Sequence, residues 1–259
     1  MTSKPVVLVT GAARRLGREI ALHLAGAGFE VAVHYRKSGD DAAATVTAAQ
    51  ALGATSSSAF GADLTDEDAC RALVPNVIKH LGRLDAVVNS ASIFEYDSIA
   101  TFSVRAMEAH WRANTAPAII LAQALHGCLP EGRTGCVVNL LDQKLWNPNP
   151  DYFSYTLSKS ALETATTLLA LGLAPKVRVC GVAPGVTLPS GPMSPADFTR
   201  AHSKTVLGRS SEPIDIARAV RYLLESVAVT GTTLLVDGGQ HLNKSARDVM
   251  FLTSAQPKE

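Results

Sequence analysis

Short apolar runs rich in β-branched residues alternate with longer segments of helical periodicity along the whole chain, and this alternation constrains the fold most strongly. It is typical of a parallel β-sheet wound with helices on both faces. The candidate strands are Val6 to Thr10, Glu30 to Tyr35, Thr55 to Phe60, Leu84 to Asn89, Gly135 to Leu140, Val177 to Val182 and Thr232 to Val236. The candidate helices are Leu16 to Ala27, Asp40 to Leu52, Asp66 to Leu81, Val104 to Leu129, Phe153 to Leu173 and Pro213 to Leu224. The sequence therefore predicts an α/β fold, doubly wound around a seven-stranded parallel sheet.

Composition and charge argue against several classes of protein. The 259 residues include 24 Lys+Arg and 23 Asp+Glu, so the net charge of +1 does not favour binding of nucleic acid. No run approaches the roughly 18 to 20 apolar residues of a membrane span, and the N-terminus has no signal-peptide pattern. The four cysteines form no Cys-x-x-Cys pair and the histidines have no metal-ligand spacing. We therefore expect reduced thiols, no metal and a cytoplasmic protein.

The chain is expected to form a single domain over residues 1–259, because no linker or repeat divides it. A turn-rich stretch from Pro184 to Pro195 opens a segment of about 184–210 that we interpret as a lid over the site. The last residues, about 246–259, have little pattern. They are expected to be a tail that frays or reaches a neighbouring subunit.

The first candidate strand runs directly into Thr10-Gly11-Ala12-Ala13-Arg14-Arg15-Leu16-Gly17, ahead of a candidate helix. Gly11 permits a tight turn, Gly17 permits close packing, and the small residues between them let backbone N–H groups approach a pyrophosphate at a helix N-terminus. The motif predicts a dinucleotide site, although two glycines after a strand also occur where a chain merely turns.

The end of the second candidate strand indicates which dinucleotide is bound. The residues His34-Tyr35-Arg36-Lys37-Ser38 offer no carboxylate for the ribose of NAD. The guanidinium of Arg36 and the hydroxyl of Ser38 could instead hold a 2′-phosphate, which predicts NADP(H). The alternative is a solvated charged loop. After the third strand, Asp63 could reach the adenine amine or cap the next helix.

Tyr155 and Lys159 stand four residues apart at the start of a candidate helix and therefore share one of its faces. An ammonium beside a phenol lowers the pKa of the phenol, which would make Tyr155 a general acid during hydride transfer. Asp142 would relay a proton or accept an N–H from a nitrogenous substrate. The alternatives are that Asp142 caps a turn or pairs with Lys144, and that Tyr-x-x-x-Lys arises by chance.

Together these motifs resemble the short-chain dehydrogenase/reductase family. The resemblance rests, over residues 5–242, on residues 10–17, Asp63, Asn89-Ser90-Ala91-Ser92, Asn114, Tyr155-x-x-x-Lys159, Pro184-Gly185 and Val236-Asp237-Gly238-Gly239. It implies a Rossmann-type fold and the catalytic residues Asp142, Tyr155, Lys159 and Asn114. The cofactor residues that it implies are Gly11, Arg14, Arg15, Leu16, Gly17, His34, Tyr35, Arg36, Lys37, Ser38, Asp63, Leu64, Asn89, Ser90, Ala91, Ser92, Tyr155, Lys159, Pro184, Gly185 and Val186.

Two departures from the usual family pattern are similar to the pteridine reductase subgroup. Arg15 stands where most members have a glycine, and Asp142 stands where most have a serine. His34 to Ser38, Asn89 to Phe94 and His202 to Arg209 extend the resemblance. It implies NADPH-dependent reduction of a pterin, with Phe94 stacked on the flat ring. The substrate contacts that it implies are Arg15, Ser92, Phe94, Asp142 and Tyr155.

Other functions stay open at this level. The same fold and cofactor would serve a carbonyl oxidoreductase acting on a ketone or alcohol, and the segment Val186 to Gly191 departs from the family pattern. A nonenzymatic NADP-sensing regulator is a further alternative. The candidate helices Val104 to Leu129 and Phe153 to Leu173 are apolar on more than one side, which suggests a subunit interface. The family resemblance implies a homotetramer.

Overall fold

A computed structural model describes residues 4–189 and 193–253 of the chain. Residues 190–192 of the expected lid and 254–259 of the expected tail lie outside the described residues. The strands are β1 Val6–Val9, β2 Glu30–Tyr35, β3 Ser58–Gly61, β4 Ala86–Asn89, β5 Gly135–Leu140, β6 Val177–Pro184 and β7 Thr233–Val236. The helices are α1 Arg15–Gly26, α2 Gly39–Ala51, α3 Glu67–Leu81, α4 Val104–His110, α5 Ala116–Cys128, α6 Phe153–Gly172, α7 Pro195–Ser203, α8 Pro213–Glu225 and α9 Val249–Thr253.

The strands form one parallel sheet in the order β3-β2-β1-β4-β5-β6-β7, seven strands among the described residues. Apolar side chains of α1, α2 and α8 pack on one face of the sheet. Those of α3, α5 and α6 pack on the other face. The predicted doubly wound α/β fold is therefore confirmed. The strand order reverses between β1 and β4, where such sheets open a crevice at the carboxyl ends of their strands.

The predicted helix from Val104 to Leu129 is wrong in its continuity. Between α4 and α5, residues Trp111–Thr115 form a π-helical turn. Pro117 stands in the first turn of α5 and has no N–H to donate to the preceding turn, so the regular hydrogen bonding cannot run through this point. A π-helical turn often marks a functional position, and this one contains Asn114.

Two short helices lie where the sequence predicts only loop and tail. Helix α7 follows Ser194, whose hydroxyl accepts a hydrogen bond from the backbone N of Asp197 at 3.1 Å. This Ser-Pro-Ala-Asp start is an ordinary N-cap signal. Helix α9 has no comparable signal and lies within the expected tail. The third strand also begins later than predicted, at Ser58.

Candidate active site

A cavity of about 840 Å³ opens at the carboxyl ends of the central strands. Its volume is in the range of cavities that hold cofactors and small ligands. Most of the predicted site residues line it: Gly11, Arg14, Arg15, Leu16, Gly17, His34, Arg36, Asp63, Leu64, Ser90, Ala91, Ser92, Phe94, Asp142, Tyr155, Lys159, Pro184, Gly185 and Val186. Tyr35, Lys37, Ser38, Asn89 and Asn114 are not among the described residues that line it.

The turn after β1 has the backbone that a phosphate cradle requires. Gly11 has a φ of +65°, a conformation that side chains strongly disfavour. A Cβ added to Gly17 would lie 2.9 Å from the carbonyl carbon of Gly11, closer than ordinary van der Waals contact. The hydroxyl of Thr10 accepts hydrogen bonds from the backbone N of Ser90 and of Ala91, which fixes this turn against the loop after β4. Both glycines are thus required by close backbone approach at the N-terminus of α1.

His34 supports the cavity through its ring nitrogens. Its Nδ1 accepts a hydrogen bond from the backbone N of Gly11 at 3.1 Å, and its Nε2 lies 3.1 Å from the carbonyl oxygen of Ala62. Burial lowers the pKa of His34, so the neutral ring fits this arrangement. The imidazole therefore joins the ends of three strands, a structural role that the motif comparison did not assign.

The residues after His34 divide into two groups. The exposed side chain of Arg36 lines the cavity. The ring of Tyr35 instead packs against the position of Gly61, and Ser38 stands at the N-cap of α2. Tyr35, Lys37 and Ser38 are not among the described residues that line the cavity, and their contact with the cofactor stays a prediction.

Asp63 lies at the same end of the cavity, and it does not cap the next helix. Its carboxylate accepts hydrogen bonds from the backbone N and hydroxyl of Thr65, at 3.0 and 2.8 Å. These bonds lower the pKa of Asp63. The N-cap of α3 is Asp66, so the helix-cap interpretation of Asp63 is wrong, and its contact with the adenine amine stays a prediction.

Arg14 and Arg15 lie at the cavity mouth with different partners. Arg14 pairs with Asp41 on α2. Arg15 has a φ of +53°, and its guanidinium donates to the carbonyl oxygen of Pro189 at 2.7 Å. Arg15 therefore connects the turn after β1 with the segment after β6.

The segment after β6 begins in a fixed conformation. The backbone N of Val186 donates to the side-chain oxygen of Gln240 at 3.0 Å. A Cβ on Gly185 would lie 2.8 Å from the Cβ of Asp237. The two predicted glycine-rich motifs, at 184–185 and 236–239, therefore pack directly against each other. That the segment acts as a lid stays a prediction.

Tyr155 and Asp142 are directly joined in the middle of the cavity. The phenol of Tyr155 donates to Oδ2 of Asp142 at 2.8 Å, and Oδ1 of Asp142 accepts from the backbone N of Lys144 at 2.9 Å. Asp142 therefore caps a turn, as one interpretation predicts, and also contacts the phenol. Its part in proton delivery stays a prediction. The ammonium of Lys144 pairs with Asp248 at 3.0 Å.

The electrostatics of this pair differ from the prediction. Burial, and then the charge of Asp142, raise the pKa of Tyr155 well above its usual value. Burial also raises the pKa of Asp142. The pKa of Tyr155 is therefore shifted upward overall, opposite to the downward shift expected from Lys159. A buried phenol next to a carboxyl group keeps its proton at neutral pH.

Lys159 lies on the same face of α6 as Tyr155, as the spacing predicts. Its ammonium is 5.8 Å from the centroid of the Tyr155 ring and donates to the carbonyl oxygen of Leu140 at 2.7 Å. Burial lowers the pKa of Lys159 to about 8. The side chain is therefore mostly charged at neutral pH and brings a positive charge to the cavity wall.

The side chains of Asn114 and Asn89 are engaged in hydrogen bonds within the protein. The side-chain oxygen of Asn114 accepts from the hydroxyl of Ser92 and the backbone N of Ile93, at 3.0 and 2.8 Å. Its side-chain nitrogen donates to the carbonyl oxygen of Ile93 and to the hydroxyl of Ser158 on α6. Asn89 donates to Asn139 on the neighbouring strand. Asn114 therefore holds the loop after β4 against the helix that carries Tyr155, and its catalytic role stays a prediction.

Phe94 is part of an aromatic cluster at the cavity wall. Its ring stacks on Tyr152, with centroids 4.0 Å apart, and meets the edge of Tyr155 at 4.7 Å. It is 38% exposed, so its ring is not buried in the core. Tyr152, which sequence reasoning missed, has a φ of +54° and directly precedes α6.

The largest group missed from sequence is the C-terminal segment, residues 243–252. It lines the cavity through Asn243, Lys244, Ser245, Arg247, Asp248, Val249, Met250 and Leu252. The described part of the expected tail thus packs on the site of its own chain. The only sequence signal was the mixture of charged and apolar side chains from Arg247 to Leu252, which is too short to establish periodicity.

Comparison with known proteins agrees with this geometry. Residues 11–241 match the family model described as enoyl-(acyl carrier protein) reductase. The structure superposes with a TM-score of 0.90 on FolM alternative dihydrofolate reductase 1 from Brucella canis complexed with NADP, at 40% identity over 96% of this chain and 98% of that one. Pteridine reductase 1 of Leishmania tarentolae is 30% identical, over 93% of this chain and 98% of that protein. The 3-oxoacyl-[acyl-carrier-protein] reductase FabG of Staphylococcus aureus is 31% identical, over 91% and 97%.

Proposed function

This chain belongs to the short-chain dehydrogenase/reductase family, and we propose that it is an NADPH-dependent reductase of a pterin, acting on a dihydropterin-type substrate. It is an oxidoreductase by family. The observation that carries the proposal is the hydrogen bond from Tyr155 to the carboxyl group of Asp142, beside the exposed ring of Phe94. A carboxyl group at this position suits a nitrogenous substrate better than a hydroxyl would.

The residues present fit NADP(H). The turn at Gly11 and Gly17 leaves room for a pyrophosphate at the N-terminus of α1. Arg36 stands at the end of β2, where a 2′-phosphate is expected, and its guanidinium suits a bidentate phosphate contact. Lys159 is placed to hold the nicotinamide ribose. When bound, NADPH supplies the hydride.

The chain itself supplies the proton and the orientation of the substrate. The phenol of Tyr155 donates its proton to the ring nitrogen of the C=N bond as the ring carbon is reduced. Asp142 accepts the phenol hydrogen bond before this step, and a proton from solvent restores the phenol afterwards. The charged Lys159 stabilises the phenolate that remains. Phe94 offers an apolar face for offset stacking on a flat ring.

The first experiment follows the loss of NADPH absorbance with a dihydropterin, in parallel with quinonoid and fully oxidised pterins and with NADH. Turnover that prefers NADPH and disappears in Asp142→Ala supports the proposal. Asp68→Ala, an exposed carboxylate in the first turn of α3, is the matched control and should retain full activity. NADPH binding without turnover of any pterin would overturn the proposal.

A carbonyl oxidoreductase is the second candidate, because relatives such as the 3-oxoacyl-[acyl-carrier-protein] reductase span the whole chain. Asp142→Ser separates the two. A pterin reductase should lose its activity in this variant, whereas a ketone reductase should tolerate it or improve. A nonenzymatic regulator is not supported, since Tyr155, Asp142 and Lys159 are brought together in one cavity.

We also propose a cytoplasmic homotetramer. The exposed face of α6 presents Leu168 and Leu171, which are 62% and 74% exposed. An apolar helix face of this kind suits a subunit interface. The four cysteines are free thiols, which suits a reducing compartment. No helix among the described residues is long and apolar enough to cross a membrane. Sedimentation of the purified chain tests the oligomeric state.

A further inference from the structure

The C-terminal segment is held against the loop before α6 by a set of polar contacts. Arg247 Nε lies 2.9 and 3.1 Å from the two carboxylate oxygens of Asp151. The backbone N of Asp248 donates to the same carboxylate at 2.7 Å. The phenol of Tyr152 lies 2.9 Å from Sδ of Met250. These contacts place the segment at the substrate end of the cavity, beside the aromatic cluster.

The contact of greatest consequence is the ion pair between Lys144 and Asp248. The two side chains are only 4% and 14% exposed, whereas most ion pairs among the described residues involve an exposed side chain. Burial makes such a pair sensitive, because removal of one partner leaves the other charge without compensation in a poorly solvated place. The pair therefore fixes the C-terminal segment and the loop that carries Lys144 as one unit.

Lys144 connects this ion pair to the proton-donating residues. Its backbone N donates to Oδ1 of Asp142, while Oδ2 of Asp142 accepts from Tyr155. Lys144 thus contacts the C-terminal segment through its side chain and the carboxyl group of the active site through its backbone. A continuous series of contacts runs from Asp248 to the phenol of Tyr155.

We propose that Asp248 is a positioning residue of the active site: through its ion pair with Lys144 it holds the turn that orients Asp142 against Tyr155. The C-terminal segment is then a wall of the substrate pocket of its own chain. The role of Asp248 in proton delivery rests on the proposed reductase function. The docking of the C-terminal segment does not rest on that function, so docking and proton delivery are measured separately.

The charges of Asp248 and Lys144 shift the pKa of Asp142 in opposite directions. The charged or titratable groups that face Asp142 and Tyr155 are Lys144 on the turn, Lys159 on α6, His110 on α4 and Asp248 on the C-terminal segment. The charge of Asp248 raises the pKa of both Asp142 and Tyr155. The charge of Lys144 lowers the pKa of Asp142.

The kinetic test compares Asp248→Asn with Lys144→Gln in the full chain, using NADPH and a dihydropterin. Reduction requires a protonated Tyr155, so the rate of reduction falls as pH rises through the apparent pKa of the Tyr155–Asp142 pair. Loss of the Asp248 charge should move this alkaline limb to lower pH, and loss of the Lys144 charge should move it to higher pH. Both variants should lower kcat by about tenfold or more, because misplacement by the order of 1 Å costs up to about 100-fold.

Glu225→Gln, which breaks an exposed ion pair with Arg221 on α8, is the matched control and should change neither kcat nor the pH profile. The double variant Lys144→Gln/Asp248→Asn should be no slower than either single variant, since residues that act as a pair are not additive. The positioning role of Asp248 would be overturned if the alkaline limbs of the pH profiles of Asp248→Asn and Lys144→Gln moved in the same direction. An unchanged kcat in Asp248→Asn would also overturn it.

Limited digestion with trypsin tests the docking without any substrate. The exposed Lys244 provides a cleavage site within the segment, and its cleavage is followed by mass spectrometry. Asp248→Asn should accelerate this cleavage by about tenfold, since it depends on local opening, while Glu225→Gln should not. If the wild-type chain turns over no pterin, the proposed reductase function is refuted. The digestion still tests whether the C-terminal segment is docked on the cavity. Equal cleavage of the two variants would overturn it.

Discussion

Replacement of Gly17 by alanine tests whether the turn after β1 is a phosphate cradle held by close backbone packing. The added Cβ would lie 2.9 Å from the carbonyl carbon of Gly11 and closer still to its oxygen. Carbon atoms in ordinary contact lie about 3.5–4.0 Å apart, so the turn and the start of α1 must separate by about 1 Å. A displacement of this size costs about 100-fold in a positioned interaction. We therefore expect Gly17→Ala to raise the Kd for NADPH about 100-fold, or about 2.7 kcal/mol.

The assay is titration of NADPH by fluorescence or calorimetry, with thermal unfolding recorded on the same samples. Gly26→Ala is the matched control, because Gly26 ends the same helix and a Cβ added there meets nothing within 4 Å. This control should bind NADPH normally and gain about 0.5–1 kcal/mol of stability. If Gly17→Ala folds and binds NADPH within about twofold of Gly26→Ala, the reasoning about the turn is refuted.

Three further predictions concern the cofactor, the helix that carries Tyr155, and pH. Arg36→Ala should weaken NADPH binding about 10- to 100-fold, as expected for a lost charged hydrogen bond, and should leave NADH binding unchanged. Lys37 lies outside the cavity lining, so Lys37→Ala should change the binding of neither cofactor. Asp97 accepts hydrogen bonds from the backbone and hydroxyl of the second residue of α6, so Asp97→Ala should lower the free energy of unfolding in urea by about 3 kcal/mol. Asp68→Ala should lower the free energy of unfolding by under about 1 kcal/mol. Equal losses in Asp97→Ala and Asp68→Ala would contradict the helix-capping role of Asp97. Burial lowers the pKa of His34 below its usual 6.5, so its contribution to stability is present above pH 6.5 and is lost as pH falls through the folded-state pKa; His34→Asn should flatten this decline in urea titrations between pH 8 and 5.

The architecture was predictable because it depends on local periodicity. Buried strands of a parallel sheet are apolar throughout, as β1 and β4 are, and their runs are recognisable without knowledge of their neighbours. The break at Trp111–Thr115 was not predicted. Apolar spacing continues through it, and only the missing N–H of Pro117 interrupts the hydrogen bonds.

The site was predictable where one short segment carries its own geometry. The spacing of Tyr155 and Lys159 places both on one helix face, and the glycines at 11 and 17 are demanded by the turn itself. Motif comparison also assigned Asn89 and Asn114 to the site, whereas both side chains are used in hydrogen bonds within the protein. A motif identifies the position of a residue but not the partner to which its side chain turns.

The sequence by itself determined the wound sheet, the dinucleotide turn and the Tyr-Lys helix face, because each follows from interactions between residues close in the chain. Only the tertiary structure decided the upward pKa shift of Tyr155 and the position of the C-terminal segment. The first depends on burial beside Asp142. The second depends on contacts between residues about 100 positions apart, Lys144 with Asp248 and Asp151 with Arg247. Desolvation and long-range ion pairs are set by what the folded chain brings together, which local sequence patterns do not encode.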